Sequence, residues 1–163
     1  MITCEGKYDP YHKALDLEID NYSAMIAIGG DGTFSEMVNG MLSRPDNKRV
    51  PVGLIPTGQC NDMGRSLNQC KAKISRAIDA IALGEAVPVD TTRVLIDHDS
   101  EANLPEGVAR LKYCRHMVSN SSLSMPAKLA DGASSFRGVC GASAFSFMSF
   151  MNMMSCGFVQ EQY

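Results

Sequence analysis

Ala24-Met-Ile-Ala-Ile28 runs straight into Gly29-Gly30-Asp31-Gly32-Thr33, and Phe34 to Leu42 behind it reads as helix. Five apolar residues in a row fit a strand buried on both faces, as in a parallel sheet. Three glycines then let the backbone turn sharply and approach a bulky ligand with no Cβ in the way. Thr33 and Glu36 stand three apart, the spacing of a capping box, so the spacing predicts a helix over 34–42. The free N–H groups and positive dipole end of that helix would face whatever sits on the loop and favour phosphate. An acidic Asp31 suits such a loop if it meets a magnesium ion or takes a proton from an attacking hydroxyl. An ordinary strand-to-helix turn with Asp31 solvated is the plainer alternative.

Outward from this junction, strands and helices alternate. Residues 9–20 read as a short helix, with Leu15 and Ile19 at i, i+4 spacing, and 44–49 as a polar surface loop. Val50-Pro-Val-Gly-Leu-Ile-Pro56 is a second apolar strand whose prolines lie at its ends, where a missing N–H is tolerated. It too is followed by a glycine-bearing polar loop, Thr57-Gly-Gln-Cys-Asn-Asp62, and a short helix over 62–67. Residues 71–83 form an amphipathic helix with Ile74, Ala77, Ile78, Ile81 and Ala82 in one stripe and Gly84 placed to end it. In an open α/β sheet ligands sit outside the carboxyl ends of the strands, so both loops would line one crevice.

The pattern then changes. Val87 to Ile96 has strand propensity, 110–118 is a further strand candidate, and a domain boundary is expected near residue 86. The sequence is rich in Ser, Ala and Gly over 119–147, and a disordered insert is expected over about 97–147. Residues 145–158 turn apolar again, and their methionines read as pliable core.

Composition narrows the functional classes. The 163 residues are 45% hydrophobic and 20% charged, with a net charge of −3 and no basic cluster, which gives no support for nucleic-acid binding. No apolar run approaches the roughly 18 residues of a membrane span. The N-terminus lacks the layout of a signal peptide. Six cysteines at 4, 60, 70, 114, 140 and 156 are scattered without a C-x-x-C pair, as expected for reduced thiols in a cytoplasmic protein. The three histidines show no metal spacing.

Four segments in order carry a family resemblance: Gly29-Gly-Asp-Gly-Thr-Phe-Ser-Glu-Met-Val-Asn-Gly40, Pro51-Val-Gly-Leu-Ile-Pro-Thr-Gly58, Asn61-Asp-Met-Gly-Arg-Ser-Leu67 and Gly84-Glu-Ala-Val-Pro-Val-Asp90. Together they resemble the diacylglycerol kinase catalytic-domain family, which includes sphingosine, ceramide and diacylglycerol kinases. Asn152-Met-Met-Ser-Cys-Gly157 is similar to the strand that opens the family's second domain. The resemblance implies a flavodoxin-like open parallel sheet, here partial, over residues 1–86. An incomplete β-rich lipid-binding domain would follow over 87–163.

By the same resemblance, Gly29, Gly30, Gly32 and Thr33 would cradle the phosphates of ATP. Asp31 would be the base or the magnesium partner, and Glu36 would cap the helix and make a supporting contact to the catalytic centre. Thr57, Gly58, Asn61 and Asp62 would complete the nucleotide side, although Asn61 and Asp62 equally suit a plain helix start. The implied activity is ATP- and Mg²⁺-dependent transfer of a phosphoryl group to a lipid hydroxyl, by a cytoplasmic protein in peripheral contact with a membrane surface.

The chain also departs from the family pattern. Gly58-Gln59-Cys60 stands where the family has Gly-Thr-Gly or Gly-Ser-Gly, and Cys60 brings a side chain to a position of close backbone approach. The family's opening strand and phosphate loop, and most of its second domain, have no counterpart here. A kinase core shortened at both ends is therefore expected. An inactive nucleotide- or protein-binding fragment is the first alternative. A nicotinamide-nucleotide kinase, which shares Gly-Gly-Asp-Gly-Thr, is the second.

Overall fold

The computed structural model describes residues 1–68, 73–96, 107–118, 132–133 and 143–154. Two compact units are present, Met1–Ser119 and Asn120–Tyr163.

In the first unit, helix α1 (Asp9–Asp16) and a 3₁₀ turn (Ile19–Asn21) precede strand β1 (Met25–Gly29) and helix α2 (Asp31–Leu42). Strand β2 (Val52–Pro56) then lies parallel to β1, pairing Met25 with Val52 through to Gly29 with Pro56. Helices α3 (Asp62–Asn68) and α4 (Ile74–Leu83) follow. This is the partial open α/β sheet expected from the sequence. Ala27 and Leu54 are neighbours on one face of the pair, and they share a buried cluster with Phe34, Met37 and Val38 of α2, Met63 of α3 and Ala14 of α1. The other face carries Ile26 beside Gly53, and there α4 packs: a Cβ on Gly53 would lie 2.7 Å from Ile26 Cδ1 and 3.3 Å from Ile81 Cγ1. Gly84 ends α4 in the left-handed conformation at φ 70°, as its glycine predicts.

Helices α1 and α2 cross closely because Gly40 has no side chain. A Cβ there would stand 2.2 Å from the Tyr11 carbonyl oxygen. Arg44, only 8% exposed, completes the contact by donating to the carbonyls of Ala14, Leu15 and Leu17, which α1 leaves without helical partners. Its remaining donors form a two-pronged pair with Asp46 at 3.0 and 2.6 Å. That pairing raises the guanidinium pKa further, so Arg44 stays charged despite its burial.

The helix after β1 starts three residues earlier than the Thr33–Glu36 spacing predicts. Gly30 is its N-cap, in an extended conformation, and no side-chain hydrogen bond caps it. The capping box is therefore not formed. Thr33 packs on Gly29 instead, where a Cβ would meet its Cβ and Oγ1 at 2.8 Å. The Glu36 carboxylate accepts the N–H of Tyr8 at 3.0 Å.

Strands β3 (Thr92–Leu95) and β4 (Cys114–Met117) form an antiparallel pair, with a 3₁₀ turn over Gly107–Lys112 between them. The pattern change near residue 86 thus falls inside the first compact unit, and β4 packs against α2. Of the stretch read as an insert, 97–106, 119–131 and 134–142 lie outside the described residues.

In the second unit, helix α5 spans Ala144–Met154. The strand expected over 152–157 is corrected here: Asn152–Met154 is the last turn of α5, and 155–157 lie outside the described residues. Ala144–Met154 contains no β-branched residue and four methionines, which favours helix. Gly132 sits against α5, since a Cβ on it would stand 2.5 Å from Met148 Cε.

Candidate functional site

Parallel pairing of β1 with β2 carries both glycine loops to the same edge of the sheet. The ladder ends with the Thr57 N–H donating to the Gly29 carbonyl at 2.9 Å. One step beyond, the backbones of Gly30 and Gly58 touch. A Cβ on Gly58 would lie 2.4 Å from Gly30 Cα, and one on Gly30 would lie 3.1 Å from Gly58 Cα. Neither position has room for a side chain. Gly32 is different: a Cβ there would meet nothing within 4 Å.

Asn61 closes the second loop on itself. It adopts φ 53°, which asparagine tolerates better than most residues. Its Oδ1 accepts the Gly58 N–H at 2.9 Å, and its Nδ2 donates to the Gly58 carbonyl at 2.7 Å. Asp62 opens α3, and its half-exposed carboxylate lies 3.9 Å from Arg65 Nη1. Cys60 is exposed and stands outside the Gly30–Gly58 contact.

Asp31 joins the two loops. Its Oδ2 accepts the N–H of Asp62 at 3.1 Å and its Oδ1 that of Met63 at 3.0 Å. These are the first two amides of α3, which have no acceptor within their own helix. A carboxylate has about four lone-pair sites, so each Asp31 oxygen keeps capacity for another partner.

The structure therefore brings Gly29, Gly30, Asp31, Gly32, Thr33, Thr57, Gly58, Asn61 and Asp62 to one edge. Glu36 is not among them. Five residues past Asp31, it lies about 140° further round α2. Burial raises its carboxyl pKa, while the Tyr8 N–H and the charges of Arg115 and Lys7 oppose that rise.

Sequence reasoning missed Asn39, which is 4% exposed. Its Oδ1 accepts the His116 N–H at 2.8 Å, and its Nδ2 donates to the carbonyls of His116 at 3.0 Å and Ser35 at 2.9 Å. One side chain thus supplies β4 with a ladder rung from α2. A polar residue set among the apolar positions of the helix was the available signal.

What this edge can do chemically is hold an anion. The first turn of α2 presents its N–H groups with no side-chain cap, Gly32 leaves open space in front of them, and two backbones meet without side chains between them. Among the described residues, no group of three or more His, Cys, Asp or Glu side chains is arranged to hold a metal ion.

These features are those of an open α/β sheet whose strand ends can hold an anion. The profile of the diacylglycerol kinase catalytic domain matches residues 2–94, and the chain belongs to that family. It is 38% identical over 92 residues to a diacylglycerol kinase of Bacillus subtilis (strain 168), covering 56% of this chain and 29% of that protein. It is 44% identical over 71 residues to the diacylglycerol kinases of Staphylococcus carnosus (strain TM300) and Staphylococcus aureus (strain JH9), covering 44% of this chain and 22% of each. The chain thus spans less than a third of the length of these relatives.

Proposed function

We propose that this chain carries the nucleotide half of a lipid kinase that moves a phosphoryl group from ATP to a lipid hydroxyl. Diacylglycerol is the acceptor favoured by the names of the relatives. The observation that carries this reading is the Gly30–Gly58 contact beside the uncapped start of α2.

ATP with its magnesium ion supplies the transferable phosphoryl group. The N–H groups of the first turn of α2 bind phosphate oxygens. Gly30 and Gly58 keep the backbone close, and Asn61 holds the 57–61 loop in the shape that lines the nucleotide. Asp31, whose carboxylate bridges the two loops, is suited to accept the lipid hydroxyl proton or to share a magnesium ion. Most of the work is positioning and charge stabilisation, as phosphoryl transfer requires. Among the described residues no helix is long and apolar enough to cross a membrane.

Transfer of labelled phosphate from ATP to diacylglycerol, monoacylglycerol, ceramide and sphingosine tests the reaction. Gly32→Val tests the site. Its Cβ meets nothing within 4 Å, and Cβ atoms tilt toward the helix start, so the branched side chain crowds the phosphate position rather than the core. ATP affinity should fall by about tenfold or more, a loss of roughly 1.4 kcal/mol. Unchanged affinity by calorimetry would reject the loop as the phosphate site.

A further inference from the structure

We propose that Asp31 is a positioning residue whose carboxylate holds the 57–61 loop against the 29–33 loop, and thereby sets nucleotide affinity whether or not a metal ion is bound. The inference rests on the kinase reading for its nucleotide, but the clamp itself is a property of the free protein.

Three observations converge on it. Both Asp31 oxygens are engaged by backbone N–H groups across the crevice, at 3.1 and 3.0 Å. Those donors belong to the first turn of α3, directly after Asn61, the residue that closes the second loop on Gly58. Beyond the Thr57–Gly29 rung that ends the ladder, Gly58 meets Gly30 backbone to backbone, with no interdigitating side chains between them. The carboxylate adds a second polar tie, on the far side of that contact. Hydrogen bonds from N–H to a charged acceptor are the stronger kind, and a carboxylate at a helix start also meets the positive end of its dipole.

The consequence concerns what loss of Asp31 means. A residue that acts only through magnesium or proton transfer leaves metal-free nucleotide binding untouched. A residue that sets the loop changes binding in chelator as well.

Two measurements test this on the 163-residue chain. The first is amide hydrogen exchange by NMR without nucleotide. The amides of Asp62 and Met63 should be protected about tenfold or more over the first two amides of α4, Ile74 and Ser75, whose helix start has no side-chain cap. Asp31→Ala should abolish that difference while the amides of β1 and β2 keep their protection. The second is calorimetric titration with ATP in EDTA and again in magnesium. Asp31→Ala should weaken binding about tenfold in both, and Asp31→Asn, which keeps one acceptor oxygen, should fall between it and the wild type.

Rapid exchange at Asp62 and Met63 in the wild type overturns the clamp, even if no variant folds. Affinity lost in magnesium but unchanged in EDTA overturns the positioning role and returns Asp31 to metal or proton chemistry. If the wild type binds no ATP under either condition, the kinase reading fails; protected amides would then keep the clamp and reject its link to nucleotide.

Discussion

The two faces of the β1–β2 pair are covered very differently. On one side Ala27 is 5% exposed under α2, with Phe34, Met37 and Val38 sealing it. On the other, Ile28 is 56% exposed, and α4 leaves Ile78 at 50%. Apolar burial stabilises in proportion to the area removed from water, so most of the sheet's support comes from the α2 face. That is also the face whose helix begins at the glycine loop. The loop therefore inherits its position from the better-buried face of this sheet, whereas the α4 face can change with less consequence for the site.

The strongest way to break this contrast is at the α1–α2 crossing. Gly40→Ala would place a methyl group where the Tyr11 carbonyl now stands, and the two helices would have to separate. We expect a loss of roughly 3 kcal/mol or more, or failure to fold, measured by chemical denaturation. A stability equal to the wild type would mean that the crossing is loose. Asn39→Ala comes next. It removes the Asn39 bonds to the His116 N–H and carbonyl and should cost about 2–3 kcal/mol, with faster exchange of the His116 amide. A loss confined to a few tenths would show that β4 does not depend on α2. On the thin face, Ile78→Ala should cost about 1 kcal/mol or less, because half its side chain is already in water. A cost as large as that of Asn39→Ala would erase the distinction between the faces.

Much of this was legible in the residues. The apolar run 24–28, the glycines behind it and the stripe of α4 each encode their element locally, and β1, β2 and the Gly84 stop follow within a residue or two. What was not legible depends on distant partners. Thr33 and Glu36 have capping-box spacing, but Gly30 starts the helix by backbone conformation alone and Tyr8, 28 residues away, takes Glu36. Asp31 reads as a carboxylate for magnesium or a proton, and its part in joining the loops stays hidden until α3, 31 residues on, presents its amides. Asn39 answers to a backbone 77 residues away. The strand that the family resemblance places at 152–157 gives way to helix over 152–154 for a different reason. An apolar run with no charge has no period of its own, and Ala144–Met154 went to helix on propensity.

The smallest expected effect is a pH dependence at Glu36, on the well-packed side of the molecule. Burial raises its carboxyl above the ordinary glutamate range, against the pull of the Tyr8 N–H, Arg115 and Lys7. The folded chain therefore binds this proton more tightly than the unfolded chain does. Below the ordinary glutamate value both states are protonated, and the contribution is full and flat. As pH rises from there through the folded value, the unfolded state loses its proton first and stability declines. Above the folded value the cost of a partly desolvated carboxylate stands undiminished. Glu36→Gln keeps an oxygen for the Tyr8 N–H and removes the titration. It should match the wild type within about 0.5 kcal/mol in acid and be slightly more stable near neutrality, with the local slope gone. Urea denaturation of both proteins across the mildly acidic range decides it. A variant less stable at neutral pH than in acid, relative to the wild type, would show that the charge of Glu36 is held by Arg115 and Lys7 more firmly than burial opposes it.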